Sequence, residues 1–231
     1  MSNFAKEGYL VRYQYGCVGQ NYIKDEGARI FGGIGVDFDE KDTPNPSISP
    51  ELSKVYRDND VDGMWVDSKL NNNICNLYEA KTQLKTFNTL NNYSFEVFAN
   101  NKYENGKYQL NTGVKGSALR SRADWLCCIN FVGKYEQTTG NKAGWLVDWN
   151  NPLYHPEYWL LIKLNDLRQY FSICQHELES WLNGRTQGYT FTLAELEQNK
   201  HDIEFYKVPF NPEYDFESLA KNIWQNMQKQ G

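Results

Sequence analysis

Asp62, Glu79 and Lys81 are residues of the types that hydrolyse phosphodiester bonds in metal-dependent enzymes. Such hydrolysis requires a divalent cation that polarises the phosphate and activates a water, and a positive group near the developing charge. Mg²⁺ is held by one or two carboxylates and keeps several of its waters, so few protein ligands are needed. We therefore predict that Asp62 and Glu79 bind Mg²⁺, for which Mn²⁺ can substitute, and that Lys81 orients the water or contacts the phosphate.

Two predicted strands bring these residues together. The strands cover residues 61–66 (VDGMWV) and 74–81 (ICNLYEAK), and the asparagine-rich segment between them is typical of a turn. Since side chains alternate along a strand, Glu79 and Lys81 project from one face. An antiparallel hairpin then returns Asp62, which lies 17 residues before Glu79, to the neighbourhood of that carboxylate. The spacing alone is weak, because many chains contain an Asp followed by Glu-x-Lys by accident.

The remaining periodic segments predict a mixed α/β fold with one sheet. Further strands are predicted at 93–99 and 158–164, and the nearly continuous apolar run at 123–132 is typical of a buried central strand. Amphipathic helices are predicted at 19–31 and 216–228. These elements supply a sheet and the helices that cover it.

Composition describes a folded chain, with 40% hydrophobic and 23% charged residues. We predict a single domain, 1–231, with its core at about 60–132 and a C-terminal elaboration at 133–231. No stretch approaches the roughly 18 apolar residues of a membrane helix, and no apolar secretory segment opens the chain. The five cysteines form no CxxC pair, which favours reduced thiols in a cytoplasmic protein and argues against a zinc site.

Basic residues are concentrated in one segment. The net charge of −5 argues, by itself, against a nucleic-acid partner. Between Lys81 and Arg122, however, there are seven basic and two acidic residues, a net charge of +5, so the rest of the chain carries −10. Because local potential governs binding more than total charge, this segment can form a phosphate-binding face. An ordinary solvated surface is the equal alternative.

The residues around the predicted hairpin resemble the PD-(D/E)XK, or restriction-endonuclease-like, nuclease superfamily, in particular its phage-type and Holliday-resolvase-like branches. Members have an acid-bearing strand, a hairpin turn and a strand ending in (D/E)-x-K, here VDGMWVD, SKLNNN and ICNLYEAKTQ. The phage-type branch continues with elements that correspond to YSFEVFAN, NTGVKGSALRS and RADW. The resemblance covers about residues 60–132. It implies a restriction-endonuclease-like mixed β-sheet core flanked by helices, and a Mg²⁺-dependent deoxyribonuclease.

The sequence departs from the family pattern at the first acid. No proline precedes it, since Val61 stands there, and Asp60, Asp62 and Asp67 compete for the position. We favour Asp62 because it opens the strand and because its separation from Glu79 resembles the family's. Asp67 follows the strand and points into the turn.

Three further residues are accessory candidates. Many members of the superfamily carry a metal-binding glutamate on the first helix, and Glu26 is the corresponding candidate here, although a solvated helix face is the commoner role. Gln83 matches a glutamine that follows the core lysine in some branches, with a surface polar residue as the equal alternative. Glu96 either joins the site or lines an exposed strand.

Four basic side chains are candidates for contacts with the DNA backbone, because helix starts and basic groups suit phosphates. Arg120 and Arg122 lie on or beside a short helix predicted at 116–122, and Lys85 and Lys115 precede it. The implied partner is DNA. An enzyme that cuts both strands of a symmetric site would be a homodimer, and the aromatic-rich region after Phe131 is a candidate interface, with core packing as the commoner role.

Two rival interpretations stay open. One is a nuclease-like fold without catalysis that binds DNA or a protein; the other is an unrelated α/β protein in which Glu-Ala-Lys is a coincidence. Endonuclease and exonuclease activity both fit, as do DNA and RNA substrates, with a DNA endonuclease favoured. A hydrolytic triad is not supported, because the three histidines are scattered without a recognisable nucleophile. The glycines at 32–35 fit neither a Walker loop nor a dinucleotide-binding turn.

Overall fold

The computed structural model describes residues 3–38, 49–67, 69–70, 75–99, 103–104, 107–108, 115–138, 142–146, 149, 151–173, 179–181 and 186–229, so most of the predicted turn at 67–73 lies outside the described residues. The elements in chain order are α1 (Asn3–Phe31), β1 (Ile34–Asp37), α2 (Pro50–Asp58), β2 (Gly63–Val66), β3 (Cys75–Lys85), β4 (Asn92–Ala99), β5 (Tyr103–Glu104), β6 (Lys107–Tyr108), α3 (Ser117–Arg120), β7 (Trp125–Val132), β8 (Lys134–Thr138), β9 (Lys142–Leu146), β10 (Tyr158–Lys163), α4 (Leu164–Ile173), β11 (Glu179–Trp181), β12 (Thr186–Thr192), α5 (Leu193–Gln198), β13 (Phe205–Pro209) and α6 (Phe216–Lys229).

A six-stranded mixed sheet in the order β1-β2-β3-β7-β10-β13 forms the centre of the fold. β3 and β7 are parallel, and the other neighbouring strands are antiparallel. All eight residues of β7 are buried, as expected for a central strand with an uninterrupted apolar sequence. The sheet therefore draws strands from residues 34 to 209, well beyond the segment 60–132 that carries the family resemblance.

One face of the sheet is covered by α1 and α6. Alternate residues of β2, β3 and β7, among them Trp65, Tyr78 and Trp125, form a core with Val18 and Tyr22 of α1 and with the first turn of α6. The side chains alternate, so the residues between them project to the other face. Residues of β3 with odd numbers, from 77 to 85, therefore face away from α1.

The other face is covered by a second sheet and by α4 and α5. The second sheet has the order β11-β12-β4, with all pairs antiparallel. Buried residues of β4, including Phe95, pack with Phe171 of α4 and with Leu126 and Leu160 of the central sheet. The two remaining strand pairs, β5–β6 and β8–β9, are two-stranded ribbons. The odd-numbered face of β3 thus points into the space between two sheets.

The predicted class, a mixed α/β fold with a mixed sheet flanked by helices, is confirmed. The prediction of one sheet is wrong, because the strand predicted at 93–99 pairs with β12 and not with the central sheet. Alternating apolar residues identify a strand but not its partner, which here lies almost a hundred residues later. The first helix begins at Asn3, earlier than the predicted start at Gly19.

Candidate active site

Asp62 lies immediately before β2 and is attached to β3 by two hydrogen bonds. Its backbone N–H donates to the carbonyl of Tyr78 at 3.0 Å, and its carboxylate oxygen Oδ2 accepts from the backbone N–H of Ala80 at 2.7 Å. The predicted antiparallel hairpin is therefore confirmed, with Gly63 opposite Tyr78. Since these two partners flank Glu79 in the chain, the hairpin places the Asp62 carboxylate beside Glu79.

Glu79 and Lys81 project from the same face of β3, as the alternation predicts. The residues between and before them, Ala80 and Tyr78, pack on the opposite face with α1. The Nζ atom of Lys81 lies 2.5 Å from Oε1 of Glu79. Asp62, Glu79 and Lys81 thus lie on one side of the sheet, with Asp62 attached to the residue between Glu79 and Lys81.

The protonation of this group is governed by burial. Only 4% of Glu79 is exposed. Burial raises the pKa of Glu79 to about 8; the Lys81 ammonium opposes this rise and the Asp62 carboxylate adds to it. Burial lowers the pKa of Lys81, but the carboxylates of Glu79 and Asp62 more than offset it, so the pKa lies above its usual value and the side chain stays charged. One third of the Lys81 side chain is exposed, so the group opens to solvent at the lysine.

The carboxylate oxygen Oε2 of Glu79 is buried and has no hydrogen-bond partner among the described residues. A buried polar atom without a partner costs free energy, and a divalent cation is one group that would satisfy it. Within the described part of the chain, no group of three or more His, Cys, Asp or Glu side chains is placed to hold a metal ion. Mg²⁺ requires only one or two carboxylates beside its waters. Asp62 and Glu79 meet that requirement.

Glu26 does not lie at this site, and its predicted role as a metal ligand is not supported. α1 packs on the face of the sheet opposite to the Glu79 side chain. The Glu26 carboxylate accepts hydrogen bonds from Nε of Arg29 at 2.8 Å and from Nδ2 of Asn211 at 2.8 Å. The sheet itself separates Glu26 from Asp62 and Glu79. The sequence predicts this helix but does not show which face of the sheet the helix covers.

The two acids that compete with Asp62 have other environments. The carboxylate of Asp60 accepts hydrogen bonds from Nε and Nη2 of Arg120 at 2.5 and 2.6 Å. Asp67 is exposed, and its φ of +58° belongs to the turn after β2, as predicted from sequence. Asp62, whose carboxylate is fixed to β3, therefore remains the candidate ligand.

Arg168 on α4 contributes to the surroundings of the site, although the sequence did not single it out. Its guanidinium donates to the carbonyls of Ala118 and Ser121 at 2.6 and 2.5 Å. Burial lowers the pKa of Arg168, the neighbouring charge of Arg122 adds to this effect, and Glu79 opposes it. Arg168 therefore fixes the end of α3, and its own charge lies close enough to Glu79 to interact with it. On a helix an arginine is commonly solvated, so no local signal indicated this role.

The other predicted DNA contacts lie on several elements. Lys115 is exposed and forms an isolated bridge with Phe98 of β4. Arg122 is exposed and donates its backbone N–H to the carbonyl of Asn59 at 2.9 Å. Lys85 ends β3 on the same face as Lys81, and burial lowers its pKa. The N–H of residue 116, immediately before α3, donates to the carbonyl of Val97 in β4, so Lys115 and α3 lie beside β4, on the side of the sheet that carries Glu79.

Gln83 and Glu96, the accessory candidates, also lie on this side. Gln83 follows Lys81 by two residues on β3, and its Oε1 is buried without a hydrogen-bond partner in the ranges that the structure describes. Opposite Gln83 in β7, Asn130 donates to the carbonyls of residues 90 and 92, which attaches the start of β4 to the central sheet. Glu96 of β4 is, after Glu79 and Asp62, a further carboxylate that raises the pKa of Lys81. Both candidates remain predictions.

Comparison of the chain with protein-family models, with curated proteins and with solved structures gave no significant match. No helix among the described residues is long and apolar enough to cross a membrane. The function is therefore inferred from the geometry of Asp62, Glu79 and Lys81.

Proposed function

We propose that the chain is a Mg²⁺-dependent deoxyribonuclease, an endonuclease, with its catalytic centre at Asp62, Glu79 and Lys81. The observation that carries this proposal is their position on one face of neighbouring strands, beside a buried Glu79 oxygen that has no hydrogen-bond partner in the described part of the chain. Two acids and a lysine in this arrangement are what metal-assisted phosphodiester hydrolysis requires.

Each of the three side chains has a distinct role in the proposal. When bound, Mg²⁺ supplies Lewis-acid polarisation of the phosphate and lowers the pKa of a water. Asp62 and Glu79 would hold it, with Oε2 of Glu79 as a candidate ligand atom. The N–H of Ala80 fixes the orientation of the Asp62 carboxylate. Lys81 remains charged and partly exposed, so it can place positive charge beside the phosphate that is attacked.

The arrangement of elements supports the restriction-endonuclease-like fold as part of this proposal. The acid-bearing strand, its antiparallel partner and the strand with Glu-x-Lys are adjacent in the central sheet, and helices cover both faces. The exposed side chains of Lys115 and Arg122 are the favoured backbone contacts for DNA, and Lys85 extends the same side of β3. A homodimer belongs to the proposal if the substrate is a symmetric duplex site.

The test is cleavage of supercoiled and linear DNA with Mg²⁺ or Mn²⁺, by the wild type and by Asp62→Asn, Glu79→Gln and Lys81→Met. We expect each substitution to lower the cleavage rate by about a hundredfold or more, since each removes a charge at the reacting phosphate. Glu26→Gln is the matched control. Its carboxylate is as buried as that of Glu79, with 3% against 4% exposed, but it lies across the sheet, so cleavage should be retained.

Two results would contradict the proposal. The first is a folded wild type that cuts no supercoiled, linear, single-stranded or branched DNA with either metal. DNA binding that survives Glu79→Gln in the same protein would then favour a binding module without catalysis. The second is metal-dependent cleavage that Glu26→Gln abolishes and Glu79→Gln leaves unchanged, which would move the catalytic centre to the other face of the sheet.

A further inference from the structure

The carboxylate of Asp60, two residues before Asp62, is held by a bidentate ion pair with Arg120. Nε and Nη2 of the guanidinium donate to Oδ2 and Oδ1 at 2.5 and 2.6 Å, a fork geometry that makes such pairs directional. Only 16% of the Asp60 side chain is exposed. The hydroxyl of Ser121 also donates to the Asp60 carbonyl, at 2.6 Å. Asp60 is therefore fixed through both its side chain and its backbone.

The backbone of Asp60 is in a conformation that requires such restraint. Its φ is +47°, in the left-handed region that residues with a side chain adopt with strain, although Asp tolerates it better than most. Strained positions persist where the surrounding structure over-determines them. This turn places Asp62 beside β3, where its carboxylate accepts a hydrogen bond from the N–H of Ala80. Relaxation at Asp60 would therefore displace the Asp62 carboxylate from Glu79.

The segment that carries Arg120 is itself held in place by hydrogen bonds. The carbonyls of Ala118 and Ser121, at the end of α3, accept hydrogen bonds from Arg168 of α4. Helix ends leave carbonyls without intrahelical partners, so this arginine satisfies groups that would otherwise need water. The N–H of Arg122 reaches back to the carbonyl of Asn59. The backbone at Arg120 is thus fixed, so its guanidinium approaches the Asp60 carboxylate from a defined direction.

We propose that Arg120 is a positioning residue for the candidate metal site. Its ion pair with Asp60 fixes the turn at 59–62 and thereby holds the Asp62 carboxylate beside Glu79. The proposal rests on the proposed function of Asp62 as a metal ligand. It assigns to Arg120 a role other than the phosphate contact predicted from sequence, because the two donors that face Asp60 are already engaged.

The test is the affinity for Mn²⁺, measured by calorimetry on the full chain as wild type, Arg120→Ala, Asp60→Asn and the double variant. Loss of groups that orient a metal ligand costs about 10- to 100-fold in affinity, and we expect the lower part of this range for each single change. Because the two residues act through one ion pair, the double variant should be no weaker than the weaker single variant. Arg120→Lys keeps the charge without the fork and should give an intermediate affinity.

Two controls separate this role from a phosphate contact and from general loss of stability. DNA affinity without metal, and its dependence on salt, should be the same for the wild type and Arg120→Ala. Arg29→Ala breaks the ion pair between Arg29 and Glu26 in α1, on the opposite face of the sheet, and should leave Mn²⁺ affinity unchanged. The proposal is overturned if Arg120→Ala leaves Mn²⁺ affinity intact while the salt slope of DNA binding falls by about 0.9, the value of one phosphate contact. Additive effects in the double variant would overturn it as well.

A second readout keeps the proposal testable if the wild type binds no Mn²⁺, which would contradict the proposed function. Hydrogen exchange of the amides of Asp62 and Ala80 reports directly on the two hydrogen bonds that place the carboxylate. Faster exchange of these two amides in Arg120→Ala, but not in Arg29→Ala, is the expected result. Equal exchange in both variants would show that the ion pair does not position Asp62.

Discussion

Glu79 combines deep burial with an ion pair, and the two have opposite effects on its proton. Burial favours the neutral acid, whereas Lys81, 2.5 Å away, favours the carboxylate. The net result is a pKa raised to about 8, so without a cation part of the Glu79 population is protonated at neutral pH and the rest forms the ion pair with Lys81. Metal ligands must be deprotonated, so binding of a cation at Glu79 is coupled to the release of this proton.

This raised pKa predicts a stability that falls with increasing pH in the absence of metal. In the unfolded chain Glu79 titrates near its usual value of about 4.3, and in the folded chain at about 8. Its contribution is therefore complete at acid pH and is lost as the pH rises through about 8. Relative to Glu79→Gln, which does not titrate, the wild type should lose on the order of a few kcal/mol of unfolding free energy across this range.

Urea unfolding of the two proteins over this pH range measures the effect. Mg²⁺ should make the fall in the unfolding free energy of the wild type smaller. It binds the deprotonated form of Glu79, so it stabilises the folded protein most at the higher pH values, at which that form is populated. Parallel pH profiles for the wild type and Glu79→Gln without metal would mean that Lys81, and not burial, determines the charge of Glu79.

At the scale of elements, α1 lies so close to the sheet that side chains are excluded at two of its positions. A Cβ atom at Gly27 would lie 2.1 Å from the ring of Trp65 on β2, and one at Gly19 would lie 2.1 Å from the hydroxyl of Thr82 on β3. Glycine is a poor helix former, so helix propensity alone disfavours Gly27 in the middle of α1. The structure shows that glycine is needed there for close approach, so helix propensity and packing have opposite requirements.

We predict that Gly27→Ala destabilises the fold by about 1–3 kcal/mol, because overpacking against the rigid Trp65 ring exceeds the gain in helix propensity. Gly16→Ala in the same helix is the control. No atom of the described residues lies within 4 Å of a Cβ at Gly16, so this change should stabilise by about 0.5–1 kcal/mol through propensity alone. Thermal or urea unfolding measures both. Equal gains from the two substitutions would show that α1 moves away from the sheet without cost.

The elements that could be predicted from sequence are those whose signals are local. The hairpin of β2 and β3 follows from alternation and a polar turn. The contributions that could not be predicted are distant in sequence. Arg168 reaches Ser121 from 47 residues away, and β4 finds its partner in β12. Periodicity carries no information about such pairings, because it describes one segment at a time.

At the scale of the whole molecule, the exposed basic side chains on the two sides of the central sheet have different surroundings. On the covering helices α1 and α6, Lys24, Arg29 and Lys221 form ion pairs with acidic residues of the same helix. On the side of Glu79, Lys115 and Arg122 are exposed. Because local potential governs binding more than the net charge of −5, the proposed function predicts that DNA approaches from that side.

This asymmetry predicts a specific dependence of DNA binding on salt. In the absence of divalent metal, Arg122→Ala should weaken binding to duplex DNA and reduce the slope of log K against log salt by about 0.9, because one phosphate contact releases about that number of counterions. Lys221→Ala removes an exposed positive charge from α6, on the opposite side, and should leave the slope unchanged. Fluorescence anisotropy with a short labelled duplex over a series of salt concentrations measures both slopes. A slope that falls with Lys221→Ala and not with Arg122→Ala would place the DNA on the α1–α6 side, away from Asp62, Glu79 and Lys81. The proposed centre could then not act on the bound strand.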